Sequence, residues 1–264
     1  MKRLSTNLST TAAALLLVLG AAACGSDDEG DADGGAEGGG DVTLNVFAAA
    51  SLTSSFEQLG ESFEESHDGV NVEFNFTGSS DLVAQIQGGS PADVFASADE
   101  ANMDKLTADD LQGSDPELFA TNTLEIATPP DNPADVQGLE DLADPDINLV
   151  ICAPEVPCGA ASQAVAEAAG VTLEPDSEEQ SVTDVLGKVT SGEADAGLVY
   201  VTDVIAAGDD VQGIEFPESK SVVNNYPIAT VGESENADLA QEFVDLVLSD
   251  EGQQVLTDAG FGQP

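Results

Sequence analysis

Residues 42–97 read VTLNVFAAASLTSSFEQLGESFEESHDGVNVEFNFTGSSDLVAQIQGGSPADVFAS, and the two periods that alternate along them decide the fold. TLNVFAAA is an apolar run of strand length. Leu52, Phe56, Leu59 and Phe63 then recur at helical spacing, and Val70, Val72, Phe74 and Phe76 return to every second residue. Ser79 stands where it can cap a helix carrying Leu82, Val83 and Ile86 on one face, and DVFAS closes the stretch as another strand. The rhythm continues outward with a helix at 98–106, the strand INLVICA, an Ala-rich helix at 159–169 and a helix at 182–191. AGLVYV and SVVNNYPIATV are strand-like, and helices at 236–248 and 250–259 close the chain. Such alternation implies parallel-rich sheets covered by helices, an α/β fold, and about 220 ordered residues favour two lobes over one. Ligands of such sheets bind beyond the carboxyl ends of the strands, where helices begin.

Composition narrows the function. The chain has 264 residues, 41% of them hydrophobic, which is enough apolar material for a core. Against 51 Asp and Glu stand five Lys and Arg, a formal net charge of −46. Such a surface repels phosphate backbones and lacks the basic patch that holds a protein on anionic lipid, so nucleic-acid binding and polybasic membrane attachment are excluded. One His and three Cys make a His/Cys metal centre equally poor. His67 ends a helix and reads as a solvated or capping residue. No GxSxG motif and no Gly-rich phosphate loop is present.

The first residues are not fold. Met1 to Arg3 make a basic start, and residues 12–23 form an apolar stretch too short for a membrane span of about 20 residues. Residues 1–23 therefore read as a secretory signal. Its end, Ala21-Ala22-Ala23-Cys24, resembles a bacterial lipoprotein signal in which Cys24 becomes the lipidated terminus. Ala21 stands where Leu is usual, so plain A-x-A cleavage is the alternative. Residues 25–41 hold seven Gly and seven acidic residues, and with Cys24 they read as an unfolded tether, residues 24–41. Removing the signal takes Lys2 and Arg3 and no acidic residue, which deepens the negative charge by two. Self-repulsion of that size points to a salt-loving or salt-tolerant source.

Four strand ends run into helix starts rich in small or hydroxyl residues: AAASLT (48–53), TGSSD (77–81), VPCGAA (156–161) and EQSVTD (179–184). A helix start exposes unpaired N–H groups and carries about half a positive charge. Four of them converging would supply about +2, matched to a dianion, without any Lys or Arg. Each alone is an ordinary cap; the reading rests on their company.

FAAASLT, TGSSDLVAQIQGGSPADVFASADEANMDKL, PEVPCG, AGLVYVTD and NNYPIA, in that order from Val42 to Phe261, resemble the periplasmic molybdate-binding proteins of ABC transporters. The resemblance implies a type II periplasmic-binding-protein fold, each lobe a mixed sheet flanked by helices. Lobe 1 would span 42–124 plus 226–264 and lobe 2 125–225, with hinge crossings near Thr123–Thr128 and Asn224–Ala229. It also implies an oxyanion site: hydroxyl and N–H of Ser51 and Ser79, backbone N–H of Cys158 and Val182, and the phenol of Tyr200. Such a shell holds donors only and suits molybdate or tungstate. Hydrogen phosphate would bring a proton with no acceptor to meet it.

The resemblance makes the chain an extracytoplasmic binding protein and not an enzyme. It would be a monomer attached to the cell membrane only through Cys24, with a membrane permease as partner. Molybdenum would enter only as the bound oxyanion, with no direct protein ligand and no resident cofactor. With Cys24 lipidated, Cys152 and Cys158 remain as a pair expected to be oxidised outside the cytoplasm. Two alternatives stand beside it: another oxyanion, such as sulfate or thiosulfate, or an acidic extracellular enzyme on the same scaffold. The enzyme would need a titratable cleft residue with a shifted pKa.

Overall fold

The computed structural model describes residues 42–264; the signal segment, Cys24 and the tether lie outside them. The chain runs β1 (Val42–Ala49), a 3-10 turn (Ala50–Leu52), α1 (Thr53–Ser66), β2 (Val70–Thr77), α2 (Ser79–Gln87), β3 (Val94–Ala96), α3 (Glu100–Ala108) and β4 (Glu117–Asn122). A second run follows with β5 (Leu124–Thr128), β6 (Leu149–Cys152), α4 (Pro157–Ala169), β7 (Ser177–Glu179), α5 (Val182–Thr190), β8 (Ala196–Tyr200), α6 (Val201–Ala207) and β9 (Gln212–Ile214). The chain then returns with β10 (Asn224–Thr230), α7 (Ala237–Leu248) and α8 (Asp250–Asp258).

Two five-stranded sheets result, ordered β2-β1-β3-β10-β4 and β7-β6-β8-β5-β9. In the first, β1 is parallel to β2 and β3, while β10 lies antiparallel between β3 and β4. The second repeats the plan: β6 is parallel to β7 and β8, and β5 is antiparallel to β8 and β9. The sheets are thus mixed: four strands of each point the same way, and one runs against them. The odd strands are β10 and β5, which enter their sheets against the direction of the neighbours they join.

Side-chain alternation explains the layers. Leu44, Val46 and Ala48 of β1 join one core with Phe56, Phe63 and Phe243, whereas Phe47 points the other way to Leu82, Phe95 and Leu106. The second sheet has its own core around Ile126, Val150, Val165, Val185 and Leu198. Each parallel strand is followed by a helix, so all six helix starts sit at the carboxyl ends of the two sheets. Sheet membership puts Leu124 in the second body and Asn224 and Asn225 in the first. The passages between bodies are therefore Thr123, alone between β4 and β5, and the segment before Asn224. Among the described residues no helix is long and apolar enough to cross a membrane.

Candidate functional site

Ser51, Ser79, Cys158, Val182 and Tyr200 all line one cavity where the two bodies meet. Ala49, Ala50, Thr77, Gly78, Ala98, Val156 and Pro157 complete the lining, and no Lys or Arg is among these residues. The space is small, about 10 Å³ for the centre of a water-sized sphere. That is roughly the room one water molecule needs, far too little for an amino acid or a sugar.

Each residue owes its place to a local feature. Ser51 sits in the turn after β1, and its hydroxyl lies 3.0 Å from the phenol of Tyr226. Ser79, expected as a helix cap, is not one. Gly78 takes the cap position in an extended conformation (φ −62°, ψ 140°). The Ser79 hydroxyl instead accepts the backbone N–H of Ala98 at 3.0 Å. Cys158 follows Pro157 at the start of α4, where Pro pre-sets the first helical turn. A disulfide joins it to Cys152 with Cα atoms 5.6 Å apart. Val182 opens α5 behind Ser181, whose hydroxyl accepts the Asp184 N–H at 3.2 Å. Tyr200 ends β8 and is buried, and its phenol oxygen accepts a hydrogen bond from Asn224 Nδ2 at 3.0 Å.

The electrostatics follow from these positions. Ser79, Cys158 and Val182 stand in first helical turns, where N–H groups have no partner four residues back. Their dipoles aim partial positive charge at the cavity, and burial makes each fraction count for more than it would in water. Burial also pushes the Tyr200 phenol well above its usual pKa, so it keeps its proton and remains a donor. Asp203, in the first turn of α6, is raised to about 7 by burial, against the opposing pull of the Tyr200 N–H that it accepts at 2.8 Å. Gly78, in the lining, packs against the backbone carbonyl of Gln180 from the other body, so closely that a Cβ there would overlap the oxygen.

Residues behind this lining escaped the sequence reading. Tyr226, Asn224 and Asn122 are buried at the back of the cavity and touch its hydroxyls or their partners. The only trace of Asn224 and Tyr226 in sequence is NNYPIA, which reads as a strand crossing between lobes, and Asn122 stands just before the other crossing at Thr123. The remaining polar groups fall elsewhere. His67 stacks on Phe63, bonds the Phe63 carbonyl at 2.8 Å and pairs with Glu242 at 2.8 Å, which raises its pKa. Lys188 pairs with Glu179 at 2.6 Å.

A model of the bacterial extracellular solute-binding proteins matches residues 44–262, nearly everything the structure describes. The chain belongs to that family. This solute-binding protein is 45% identical to the molybdate-binding protein ModA of Mycobacterium bovis, over 97% of its own length and 98% of the relative's. It is 28% identical to a putative ABC transporter substrate-binding lipoprotein, YvgL of Bacillus subtilis, over 83% of its length and 86% of that protein's. Its fold is that of the periplasmic molybdate-binding protein of Azotobacter vinelandii. The TM-score is 0.72 at 24% identity, covering 84% of this chain and 99% of that one. The two-lobed type II architecture is therefore established.

Proposed function

We propose that this solute-binding protein is the capture component of an ABC importer for molybdate, with tungstate as an equivalent ligand. The observation that carries the reading is the lining itself: hydroxyl and N–H donors from both bodies around one compact space, with neither a cation nor an ionised carboxylate among them. A tetrahedral dianion without protons satisfies such donors, and first-turn dipoles offset its charge. The 45% identity to a protein named for molybdate binding supports the choice of anion. Molybdenum is cargo here, held through its oxygens, and no resident cofactor is needed.

Catalysis finds no support at this site. Its one titratable side chain is Tyr200, whose pKa is raised so that it does not exchange protons near neutral pH. Cys24 as a lipid anchor rests on the Ala-Ala-Ala-Cys sequence and on a relative named as a lipoprotein. The same extracytoplasmic setting lets the Cys152–Cys158 bridge persist, and a membrane permease follows as the partner.

Calorimetric titration with molybdate, tungstate, sulfate and phosphate tests the reading. Molybdate is expected to bind at or below micromolar Kd, and phosphate far more weakly. Ser51→Ala and Ser79→Ala should each cost about 1–3 kcal/mol through the loss of one charge-assisted bond. Unchanged affinity in both variants would move the site elsewhere.

A further inference from the structure

We propose that Asn224 and Tyr226 are positioning residues that fix the hydroxyl protons of Tyr200 and Ser51 toward the cavity, and so set which protonation state of an oxyanion the site accepts. The inference rests on the oxyanion reading above and adds residues that do not touch the ligand.

The direction of each bond follows from groups that cannot change role. Asn224 donates from Nδ2 to the Ala98 carbonyl at 2.9 Å, an oxygen that can only accept. That identifies the nitrogen, and its second proton goes to the Tyr200 oxygen at 3.0 Å. The Tyr200 phenol thus spends acceptor capacity on Asn224. Its own proton makes no protein hydrogen bond within 3.5 Å among the described residues, the neighbouring Tyr226 phenol being the competing acceptor, and Tyr200 lines the cavity.

Ser51 obeys the same logic one step removed. The Asn122 oxygen accepts the Thr123 N–H at 3.0 Å, so Asn122 Nδ2 faces the other way. It donates to Thr202 Oγ1 at 2.8 Å and approaches the Tyr226 oxygen at 3.5 Å. Tyr226 is completely buried, and its other polar neighbours are Ser51 Oγ at 3.0 Å and the Tyr200 phenol. A buried phenol must donate, and Ser51 is the hydroxyl within hydrogen-bond distance to accept. Ser51 therefore receives the Tyr226 proton and turns its own into the cavity. A register shift between Tyr226 and Pro227, where β10 pairs with β4, accompanies this placement. Ser79 is oriented likewise by the Ala98 N–H.

The three hydroxyls of the site thus each accept from behind and donate forward. A protonated anion such as hydrogen phosphate could be met only if one of them turned its own proton out of the cavity, where the donor behind it leaves that proton no partner. Removing that donor frees the hydroxyl to accept. Tyr226→Phe and Asn224→Leu should therefore weaken molybdate binding about tenfold each while weakening phosphate less than threefold, so the ratio of phosphate to molybdate Kd falls more than threefold. A purely structural loss would weaken both anions alike and leave the ratio unchanged.

The experiment is molybdate titration and phosphate competition on the wild type and both variants, with thermal melts as the fold control. Wild-type binding tests the oxyanion reading by itself; absence of any oxyanion binding there overturns both. A wild type that binds, with folded variants whose ratio stays within threefold of its own, overturns the positioning role alone. If Tyr226→Phe does not fold, Asn224→Leu decides the same question at Tyr200.

Discussion

Replacing Gly78 by Ala separates binding from folding at this site. Gly78 has φ −62° and ψ 140°, a conformation any residue adopts, so the new methyl adds no backbone strain. Its cost comes only from the other body. The Cβ would overlap the Gln180 carbonyl oxygen and lie 3.3 Å from both the Gln180 carbonyl carbon and Val156 Cγ1. Backbone cannot rotate away as a flexible side chain can, so the two bodies must part by roughly 1 Å to reach ordinary contact. Ser51 and Ser79 stand on one side of that opening and Cys158, Val182 and Tyr200 on the other. Stretching a 2.9 Å bond by 1 Å abolishes it, and a charge-assisted bond is worth about 1.5–3 kcal/mol. Losing one or two gives about 2–4 kcal/mol, a weakening of roughly 30- to 1,000-fold. Titration calorimetry with molybdate measures it, and melting of the ligand-free protein should change by less than about 2 °C. An affinity within threefold of wild type would refute the view that ligand binding requires this contact to close.

Three further outcomes follow from the same structure. Opening the seven-residue Cys152–Cys158 loop with the double Ser variant should lower unfolding free energy by about 2 kcal/mol in the chain-entropy account, read by denaturant titration; no loss would show that the bridge constrains nothing. Asp203 moves from an ordinary 3.8 to about 7, so the folded state holds its proton more tightly than the unfolded chain does. The stability tied to that proton is full below about pH 4 and is lost as pH rises through 7, an effect on the order of 4 kcal/mol. Asp203→Asn should therefore stabilise the protein at pH 8 and have almost no effect at pH 4, and an equal effect at both values would exclude burial as the cause. Finally, with 51 acidic residues against five basic ones, the melting temperature should climb steadily from low to molar NaCl, and a flat response would remove self-repulsion as a factor.

What the sequence disclosed depended on how far apart the interacting residues lie. Leu52, Phe56, Leu59 and Phe63 announce α1 because a helix face is written within four residues, and those four are buried. The four helix starts were legible for a related reason, since small or hydroxyl residues there report local geometry; which of their residues line the site, and Tyr200 with them, was implied by the family resemblance. Ser79 marks the limit of that logic. A Ser before an apolar run is the usual cap signal, yet its hydroxyl goes to Ala98, 19 residues on, because β3 is laid beside β1. Strands β4 and β5 were hidden because Thr123 alone separates them, with no Gly or Pro turn signal to mark the passage between two sheets. Tyr226 reaches Ser51 across 175 positions, through a strand that joins the first sheet only after the whole second body has been made. No local period encodes that.

The same distinction between near and far explains how so acidic a chain can hold a dianion. Screening at physiological ionic strength has a length of about 8 Å, so exposed carboxylates act weakly on a buried cavity. The nearest fixed partial charges are N–H groups in the lining itself, inside a low-dielectric space where attraction is least diminished. Asp203 is the buried carboxyl close behind, bonded to the Tyr200 N–H, and burial keeps it half protonated near neutral pH. Net charge therefore governs solubility and salt response. The binding of an oxyanion is decided by which way about five protons point.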